Sequence, residues 1–343
     1  MRRQYIVGSM GTEAGEVPRV STELGRADKW GTFRVALAIR RMNYTVDPGI
    51  YAVGSPDQHS IVLVSANYKL SFDTLRQELN GLDAWIMVLD TKGINVWCAA
   101  GKGTFGTSEV VNRIEVTGLK KIVSHRKIIV PQLGAAGVAA HEVKKLSGFT
   151  VVYGPVRASD IRSFLEADMV ATRQMRRVTF SFYDRARLVP TEVVTSLPHL
   201  LIATAVFLLL AGFSRSGYSG SSAVSIGARS SLNLFFVYLA GTVLGPLFLP
   251  WLPGRAFSSK GFFLGLILFV VLSFGRFAGT GLIEIVGWML LIPMISSFIV
   301  MNFTGSSTYT SLSGVKKEMR VALPLQIAAA VAGLAFWVAG RFV

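Results

Sequence analysis

The second half of the chain constrains the fold most, because it contains long segments with almost no charged residues. Five apolar spans lie near residues 197–213, 232–252, 262–274, 282–301 and 322–339. A helix needs about 20 apolar residues to cross a bilayer, so the second, fourth and fifth spans are long enough and the third is short. The spans also lack the polar face of a helix on a soluble domain. We therefore predict an all-α transmembrane domain of about five helices over residues 191–343.

The basic residues predict how this domain is oriented. The formal net charge is +15, and Lys316, Lys317 and Arg320 lie between the fourth and fifth spans. Cytoplasmic loops carry an excess of Lys and Arg, so this loop and the basic first half of the chain are both predicted to be cytoplasmic. Attraction to anionic lipids accounts for the charge better than nucleic-acid binding, for which we find no motif. Glu284 falls inside the fourth span, and we expect it near the membrane interface.

Residues 31–190 have a different pattern, in which short apolar runs alternate with amphipathic segments. Continuous apolar runs are typical of strands that are buried on both faces of a parallel sheet. We predict a cytoplasmic α/β domain of the Rossmann type with a mainly parallel sheet, preceded by a mobile lead-in over residues 1–30. The predicted strands span residues 33–39, 44–51, 60–65, 84–89, 94–97, 127–130 and 150–153.

The most unusual stretch of this domain is Ile94 to Thr107, which contains Cys98, the single cysteine of the chain. One cysteine cannot form an internal disulfide or a cluster of thiolate ligands. It can be a buried thiol, a nucleophile or one ligand to a metal. Small residues follow it, and they leave the backbone open to a large flat ligand.

A dinucleotide site is the first alternative for this stretch, because Gly101 to Gly106 reads G-x-G-x-x-G. That fingerprint also needs an acidic residue about 20 residues further on, at the end of the next strand. The next predicted strand runs into Pro131–Gly134 and offers no acid, which disfavours the dinucleotide. Asn67, Cys98 and the segment 132–134 all follow predicted strands, so we expect them at one edge of the sheet.

The segment Asn95-Val96-Trp97-Cys98-Ala99-Ala100-Gly101-Lys102 resembles the signature of the HgcA family. This family comprises the membrane-bound corrinoid proteins of microbial mercury methylation, which are related to the large subunit of corrinoid iron–sulfur proteins. The resemblance extends to residues 51–54, 65–69, 131–134 and 302–319. The hydroxyl-rich run 302–311 is either a polar loop or a segment that faces the corrinoid domain.

The resemblance implies a cofactor, a reaction and a set of site residues. It implies a cobalamin-type corrinoid whose cobalt has the Cys98 thiolate as its lower axial ligand and passes a methyl group to Hg(II), giving methylmercury. An anionic thiolate donates more electron density to cobalt than a neutral imidazole, which suits transfer to an electrophile. The implied corrinoid contacts are Asn67, Asn95, Val96, Trp97, Cys98, Ala99, Ala100, Gly101, Lys102, Gly103, Thr104, Gln132, Leu133 and Gly134.

The resemblance also implies partners. One is a ferredoxin-like protein of the HgcB type with two four-iron four-sulfur clusters, since the single cysteine cannot hold such a cluster. The implied methyl source is methyltetrahydrofolate, delivered by a methyltransferase. His59 is not predicted to bind cobalt, because Val62 replaces the glycine of the Asp-x-His-x-x-Gly motif. Two alternatives stay open: a corrinoid carrier for another one-carbon acceptor, and a transporter with a regulatory α/β domain.

Overall fold

The structure is a computed structural model that describes residues 4–306 and 312–343. The chain divides into two compact units. The first extends to Val178 and is interrupted at Ala36–Ala38, which group with the second unit, Thr179–Val343. The second unit begins earlier than residue 191, the boundary expected from hydropathy, because polar helical turns precede the first apolar span.

A seven-stranded sheet forms the centre of the first unit, within the part of the chain that the structure describes. The strand order is β1-β2-β3-β5-β4-β6-β7. Strands β5, β4, β6 and β7 run parallel, whereas β3 is antiparallel to β5 and β1 to β2. The strands are β1 Ile6–Thr12, β2 Gly15–Val20, β3 Gly49–Val53, β4 Ile61–Ala66, β5 Ala84–Leu89, β6 Lys127–Val130 and β7 Thr150–Tyr153.

The apolar composition of the central strands explains their position in the sheet. All six residues of β5 are buried, as are five of six in β4 and three of four in β6. Their continuous apolar sequences suit strands covered by helices on both faces. The prediction of a mainly parallel α/β sheet is confirmed, and the Rossmann type fits coarsely, since the β3 edge is antiparallel.

Helices cover the two faces of this sheet. Each parallel crossover contains at least one helix, which is what parallel strands require. The helices of the first unit are α1 Arg26–Ala36, α2 Lys69–Glu78, α3 Val96–Lys102, α4 Thr107–Val116, α5 Leu119–Ile122, α6 Ala140–Ser147 and α7 Ile161–Glu166.

The N-terminal region differs from the expected mobile lead-in. Strands β1 and β2 form an antiparallel hairpin, and β2 pairs with β3 in parallel. Val17 and Val20 are buried, and Gly15 takes a positive φ of 115° at the turn. The strand predicted at residues 33–39 is instead the end of α1 and the turn after it. The apolar pattern of β1 is weak because most of its residues face solvent, so pairing with the sheet, rather than local periodicity, orders this segment.

The second unit is helical, as expected. In the described residues, five helices are long and apolar enough to cross a membrane by length and composition: Phe182–Ala211, Gly220–Phe248, Phe257–Phe274, Leu282–Gly305 and Ser313–Ala339. Its helices are α8 Phe182–Ala186, α9 Val189–Ala211, α10 Gly220–Leu239, α11 Gly245–Phe248, α12 Phe257–Phe274, α13 Leu282–Asn302 and α14 Leu312–Ala339. A π-helical segment, Ala240–Leu244, joins α10 to α11, and a two-stranded ribbon, β8 Phe213–Ser214 with β9 Gly217–Tyr218, joins α9 to α10.

Small residues let these helices approach closely. A Cβ atom on Gly265 of α12 would lie 2.6 Å from the Cα of Pro293 in α13, and Gly261 is equally close to the backbone of Ser296. Gly287 of α13 packs in the same way against the backbone of Gly333 in α14. Helix contacts through small residues are typical of membrane bundles, where backbone proximity stabilises association.

Glu284 is expected near the membrane interface, and its depth in a membrane stays a prediction. It lies in the first turn of α13, yet its side chain is buried and pairs with Arg229 at 2.6 Å and with Arg341 at 3.1 Å. The two arginines come from sequence positions far from it, so sequence inspection could not pair them. Part of the hydroxyl-rich run, residues 307–311, lies outside the described residues, and the run begins with a 3₁₀ turn at Phe303–Ser306.

Candidate functional site

Cys98 lies on the short helix α3 and not at the end of a strand, which corrects the predicted strand 94–97. Asn95 is the N-cap, and its Oδ1 accepts a hydrogen bond from the Cys98 backbone N–H at 2.9 Å. Gly103 ends the helix in the left-handed conformation, with φ at 83°. Asparagine is among the best N-cap residues, and this cap outweighs the β-propensity of the short run around Val96.

The two faces of α3 have opposite characters. Val96, Ala99 and Ala100 are buried in the core of the first unit. Trp97, Cys98, Gly101 and Lys102 are exposed, and these four positions share the outer face of the helix. The exposed fraction of Trp97 is 39%, which is large for tryptophan. A Cβ on Gly101 or on Gly103 would meet nothing within 4 Å, so this face is open beside the thiol.

Asn67 organises the loop that leads into α3. Its Oδ1 accepts hydrogen bonds from the Thr91 N–H at 3.1 Å, from Thr91 Oγ1 at 2.8 Å and from the Gly93 N–H at 3.0 Å. Its Nδ2 donates to Asp90 Oδ1 at 3.3 Å. Asn67 therefore positions the loop before Cys98, and its direct contact with a corrinoid stays a prediction.

Two acids of this region make contacts that the sequence did not predict. Glu109 accepts a hydrogen bond from the Asp90 N–H at 2.9 Å and pairs with Arg113 at 2.7 Å, which ties α4 to the end of β5. The hydrogen bond from Lys92 lowers the pKa of Asp90 below its ordinary value, and the same carboxylate accepts the hydrogen bond from Asn67 Nδ2. Residues 90–93 read Asp-Thr-Lys-Gly, a composition typical of turns. This composition was the signal in the sequence that could have indicated the contacts of Asp90.

The segment after β6 forms the second wall of the site. Gln132–Gly134 is a 3₁₀ turn that packs against α3. A Cβ on Gly134 would collide with the ring of Phe105, and a Cβ on Gly137 would collide with the carbonyl oxygen of Phe105 and lie 3.1 Å from that of Ala100. Only glycine permits this approach, which brings the predicted residues 132–134 beside the predicted residues of α3.

The side chain of Gln132 carries an unpartnered polar atom. Its Oε1 is buried and has no hydrogen-bond partner in the structure. A buried acceptor without a donor is costly, and in native proteins it indicates a missing partner. Leu133 packs against the hydrophobic core next to it. Thr104 is half-buried, and its hydroxyl lies 3.5 Å from the Ala99 carbonyl oxygen, so it supports the turn after α3.

His59 is far from this arrangement. His59 precedes β4 and Asn67 follows it, so the two residues lie at opposite ends of this strand. Its Nδ1 lies 3.2 Å from the Ser124 hydroxyl. This placement agrees with the view that His59 does not serve the site around Cys98.

Comparisons with known proteins find similarity within the first unit. Residues 37–165 match the model of the CO dehydrogenase/acetyl-CoA synthase delta subunit family. The gamma subunits of the acetyl-CoA decarbonylase/synthase complexes of Methanopyrus kandleri and Methanocaldococcus jannaschii are each 33% identical, over 125 and 147 residues. That of Archaeoglobus fulgidus is 32% identical over 123 residues. These alignments cover 36%, 40% and 35% of this chain but only 27%, 30% and 26% of the relatives.

Residues 37–165 resemble a corrinoid-protein family. That family binds a corrinoid cofactor, which confirms the predicted cofactor. The chain spans less than a third of the length of these curated relatives. The resemblance of residues 95–102 to the mercury-methylating family is more specific and remains a proposal.

The residues around Cys98 fit such a group. A corrinoid is large, flat and rimmed with amides, and the outer face of α3 offers a glycine-lined surface beside an exposed thiol. The unpartnered Oε1 of Gln132 can accept a hydrogen bond from a peripheral amide. Lys102, on the same face as Cys98, can donate to an amide oxygen.

Replacing Gly101 by alanine tests whether this open face is the contact surface. The new methyl group meets no atom of the protein, so the cofactor-free chain should be as stable as the parent or more stable by about 0.5–1 kcal/mol. Corrinoid affinity, measured by titration followed in the visible spectrum, should fall because the methyl group intrudes on the flat ligand. Gly8→Ala also adds a methyl group in open space, but on β1, and serves as the matched control. Unchanged affinity in the Gly101 variant would place the corrinoid elsewhere.

Proposed function

We propose that this chain is a membrane-bound corrinoid methyltransferase that methylates Hg(II), with the Cys98 thiolate as the lower axial ligand of cobalt. The observation that carries the proposal is the exposed thiol on α3, at the edge of the sheet where α/β domains bind their ligands. When bound, the corrinoid supplies a cobalt centre that accepts a methyl group from a donor and passes it to an acceptor.

The residues around the thiol have separate tasks in this proposal. Asn95 caps α3 and holds the first turn, so Cys98 is presented from a fixed backbone. Buried Ala99 and Ala100 pack α3 onto the core without a bulky side chain. Asn67 holds the preceding loop, and Gln132 and Lys102 would bind peripheral amides from two sides.

The choice of Hg(II) as the acceptor rests on the negative charge of the Cys98 thiolate and on the resemblance of residues 95–102 to the mercury-methylating family. Hg(II) is an electrophile and must receive the methyl group with electron density. A thiolate ligand is anionic and gives more density than the neutral imidazole that many corrinoid domains supply. Cys98 is the residue of this site that can supply it.

A second candidate is a methyl carrier for another one-carbon acceptor. It is favoured by the relatives themselves, which are subunits of acetyl-CoA decarbonylase/synthase complexes. Transfer of a methyl group with its electron pair to Hg(II) would need two electrons from a reductant in each cycle. The single cysteine of this chain cannot hold an iron–sulfur cluster, so another protein would have to supply them. We propose a ferredoxin-like partner of the HgcB type with two four-iron four-sulfur clusters, and methyltetrahydrofolate, acting through a methyltransferase, as the methyl source.

We further propose that the chain resides in the cytoplasmic membrane with its corrinoid domain in the cytoplasm. Five helices of sufficient length and apolar composition support this location. The basic residues Lys316, Lys317 and Arg320 support the orientation.

The test begins with protein isolated from a host that is supplied with corrinoid. We expect cobalt in an amount equimolar to the chain, and methylmercury when Hg(II), the methyl donor system and a reduced ferredoxin partner are added. Stoichiometric dinucleotide without cobalt would contradict the corrinoid assignment. Cobalt-loaded protein that transfers methyl groups to another acceptor but never to Hg(II) would favour the methyl carrier.

A further inference from the structure

The outer face of α1 exposes two large aromatic side chains. Trp30 and Phe33 are 60% and 53% exposed, and their rings stack with centroids 5.5 Å apart. The opposite face of the helix packs inward through Asp28 and Val35. The inner face of the helix therefore packs against the first unit. The aromatic pair on the outer face contributes nothing to the core of that unit.

Basic residues precede and follow this aromatic pair in the sequence. Arg26, Lys29 and Arg40 are exposed, and Arg34 and Arg41 are half-buried. Asp28, the one acid of α1, does not offset them, because it is buried and paired with Lys69 and Arg76. The turn that follows α1 adds two more exposed apolar side chains, Ile39 and Met42.

This combination has a specific physical meaning. Tryptophan and other amphipathic or apolar side chains, mixed with Lys and Arg, are typical of surfaces that rest in the headgroup region of a bilayer. Anionic lipids attract the basic side chains, and the aromatic rings bury their apolar bodies at the boundary of the acyl chains. An acidic protein would complement the charge of the basic side chains. It would also need an apolar pocket to receive the rings of Trp30 and Phe33.

Ala36–Ala38, at the end of α1 and in the turn after it, group with the second unit. The carbonyl oxygen of Ala36 accepts a hydrogen bond from Thr191 Oγ1 at 2.6 Å. Thr191 belongs to the first turn of α9, within the first segment that could cross a membrane. Ala36 therefore contacts the start of that segment.

We propose that the outer face of α1, with the turn that follows it, docks on the anionic headgroup surface of the bilayer. This inference rests on the proposed membrane location but not on the corrinoid chemistry. Docking would restrict the motion of the first unit against the bilayer, and it gives a function to an aromatic pair that the site around Cys98 does not use.

The single cysteine makes the test direct. The full-length Cys98→Ala chain has no thiol, so one new cysteine at a time can carry a nitroxide spin label. Labels are placed at Phe33 on α1, at Val116 in the last turn of α4 and at Leu201 on α9, three exposed positions. Each chain is reconstituted in vesicles of phosphatidylcholine alone or mixed with phosphatidylglycerol. Collision of the label with oxygen, which enriches in lipid, is compared with collision with a water-soluble nickel chelate.

In the anionic vesicles, we expect the Phe33 label to favour oxygen several-fold more than the Val116 label. That preference should weaken in phosphatidylcholine alone, and also when Lys29→Gln and Arg40→Gln are added in the anionic vesicles. A Phe33 label as water-exposed as Val116 in both vesicles, beside a lipid-exposed Leu201, would overturn the docking and leave the membrane location standing. A water-exposed Leu201 label would overturn both. Protection of Phe33 only after an acidic ferredoxin is added would assign the face to a protein and overturn the proposal.

Discussion

Replacing Cys98 by alanine is expected to abolish methyl transfer to Hg(II) and to leave the fold of the first unit intact. The thiol is exposed, and the cap of α3 uses the Cys98 backbone N–H, which alanine retains. Loss of a direct metal ligand should cost more than the roughly 10- to 100-fold that follows loss of a residue behind a ligand. The measurement is the initial rate of methylmercury formation, together with the visible spectrum of the bound corrinoid.

Two further variants test whether methyl transfer depends on electron donation by the Cys98 thiolate. Cys98→His offers a neutral ligand, which can alter the cobalt spectrum but should not restore the rate, because its electron donation is weaker. Ser108→Ala removes an exposed hydroxyl from the first turn of α4 and should keep the parent rate. If Cys98→Ala retains the parent rate and spectrum, the cysteine does not bind cobalt and the proposed mechanism is wrong.

The second large effect is expected on stability, from a buried ion cluster beside α2. Lys69 pairs with Asp28 at 2.5 Å and with Asp73 at 2.6 Å, and Arg76 pairs with the same two acids at 2.7 and 2.8 Å. The Arg76 side chain is fully buried. It also donates to the carbonyl oxygens of Ser21 and Glu23, which fastens the segment after β2 to α2.

We expect Arg76→Met to lower the free energy of unfolding by about 3–5 kcal/mol, because it leaves two buried acids with a single lysine between them. Thermal unfolding of the full chain in detergent, followed by circular dichroism, would measure the change. Lys92→Gln is the matched control. Lys92 pairs with Asp90 at 2.5 Å, but its side chain is 71% exposed and solvent screens the pair, so the loss should be much smaller than that of Arg76→Met. Equal losses in the two variants would contradict a structural role for the cluster.

The same cluster predicts a pH dependence. Burial raises the pKa of Asp28, but the hydrogen bonds and charges of Lys69 and Arg76 outweigh it, and the pKa of Asp28 lies below its ordinary value of 3.8. A folded-state pKa below the unfolded value means that the unfolded chain binds the proton more readily. The contribution of Asp28 to stability is therefore present at neutral pH and is lost as the pH falls below about 4. The transition temperature of Arg76→Met should fall less steeply in that range than that of the parent.

Much of this architecture could be derived from the sequence. Strands β4, β5 and β6 are continuous apolar runs, and such runs have one stable environment, the centre of a covered sheet. The apolar spans of the second half likewise allowed five helices to be predicted, because length and lack of charge are local properties. The prominence of Cys98 also came from the sequence, since a lone cysteine among small residues is visible without a structure.

Only the tertiary structure decided features that depend on distant partners. The first strands are ordered because β2 pairs with β3, which lies beyond α1 in the sequence. The structure also shows that the Asn67 side chain binds the loop at residues 90–93, more than 20 residues away in sequence, while its contact with a corrinoid stays a prediction. Glu284 pairs with Arg229, which lies 55 residues before it in the sequence, and with Arg341. Local patterns encode burial, whereas pairing across a sheet or a helix bundle joins residues whose separation in sequence carries no signal.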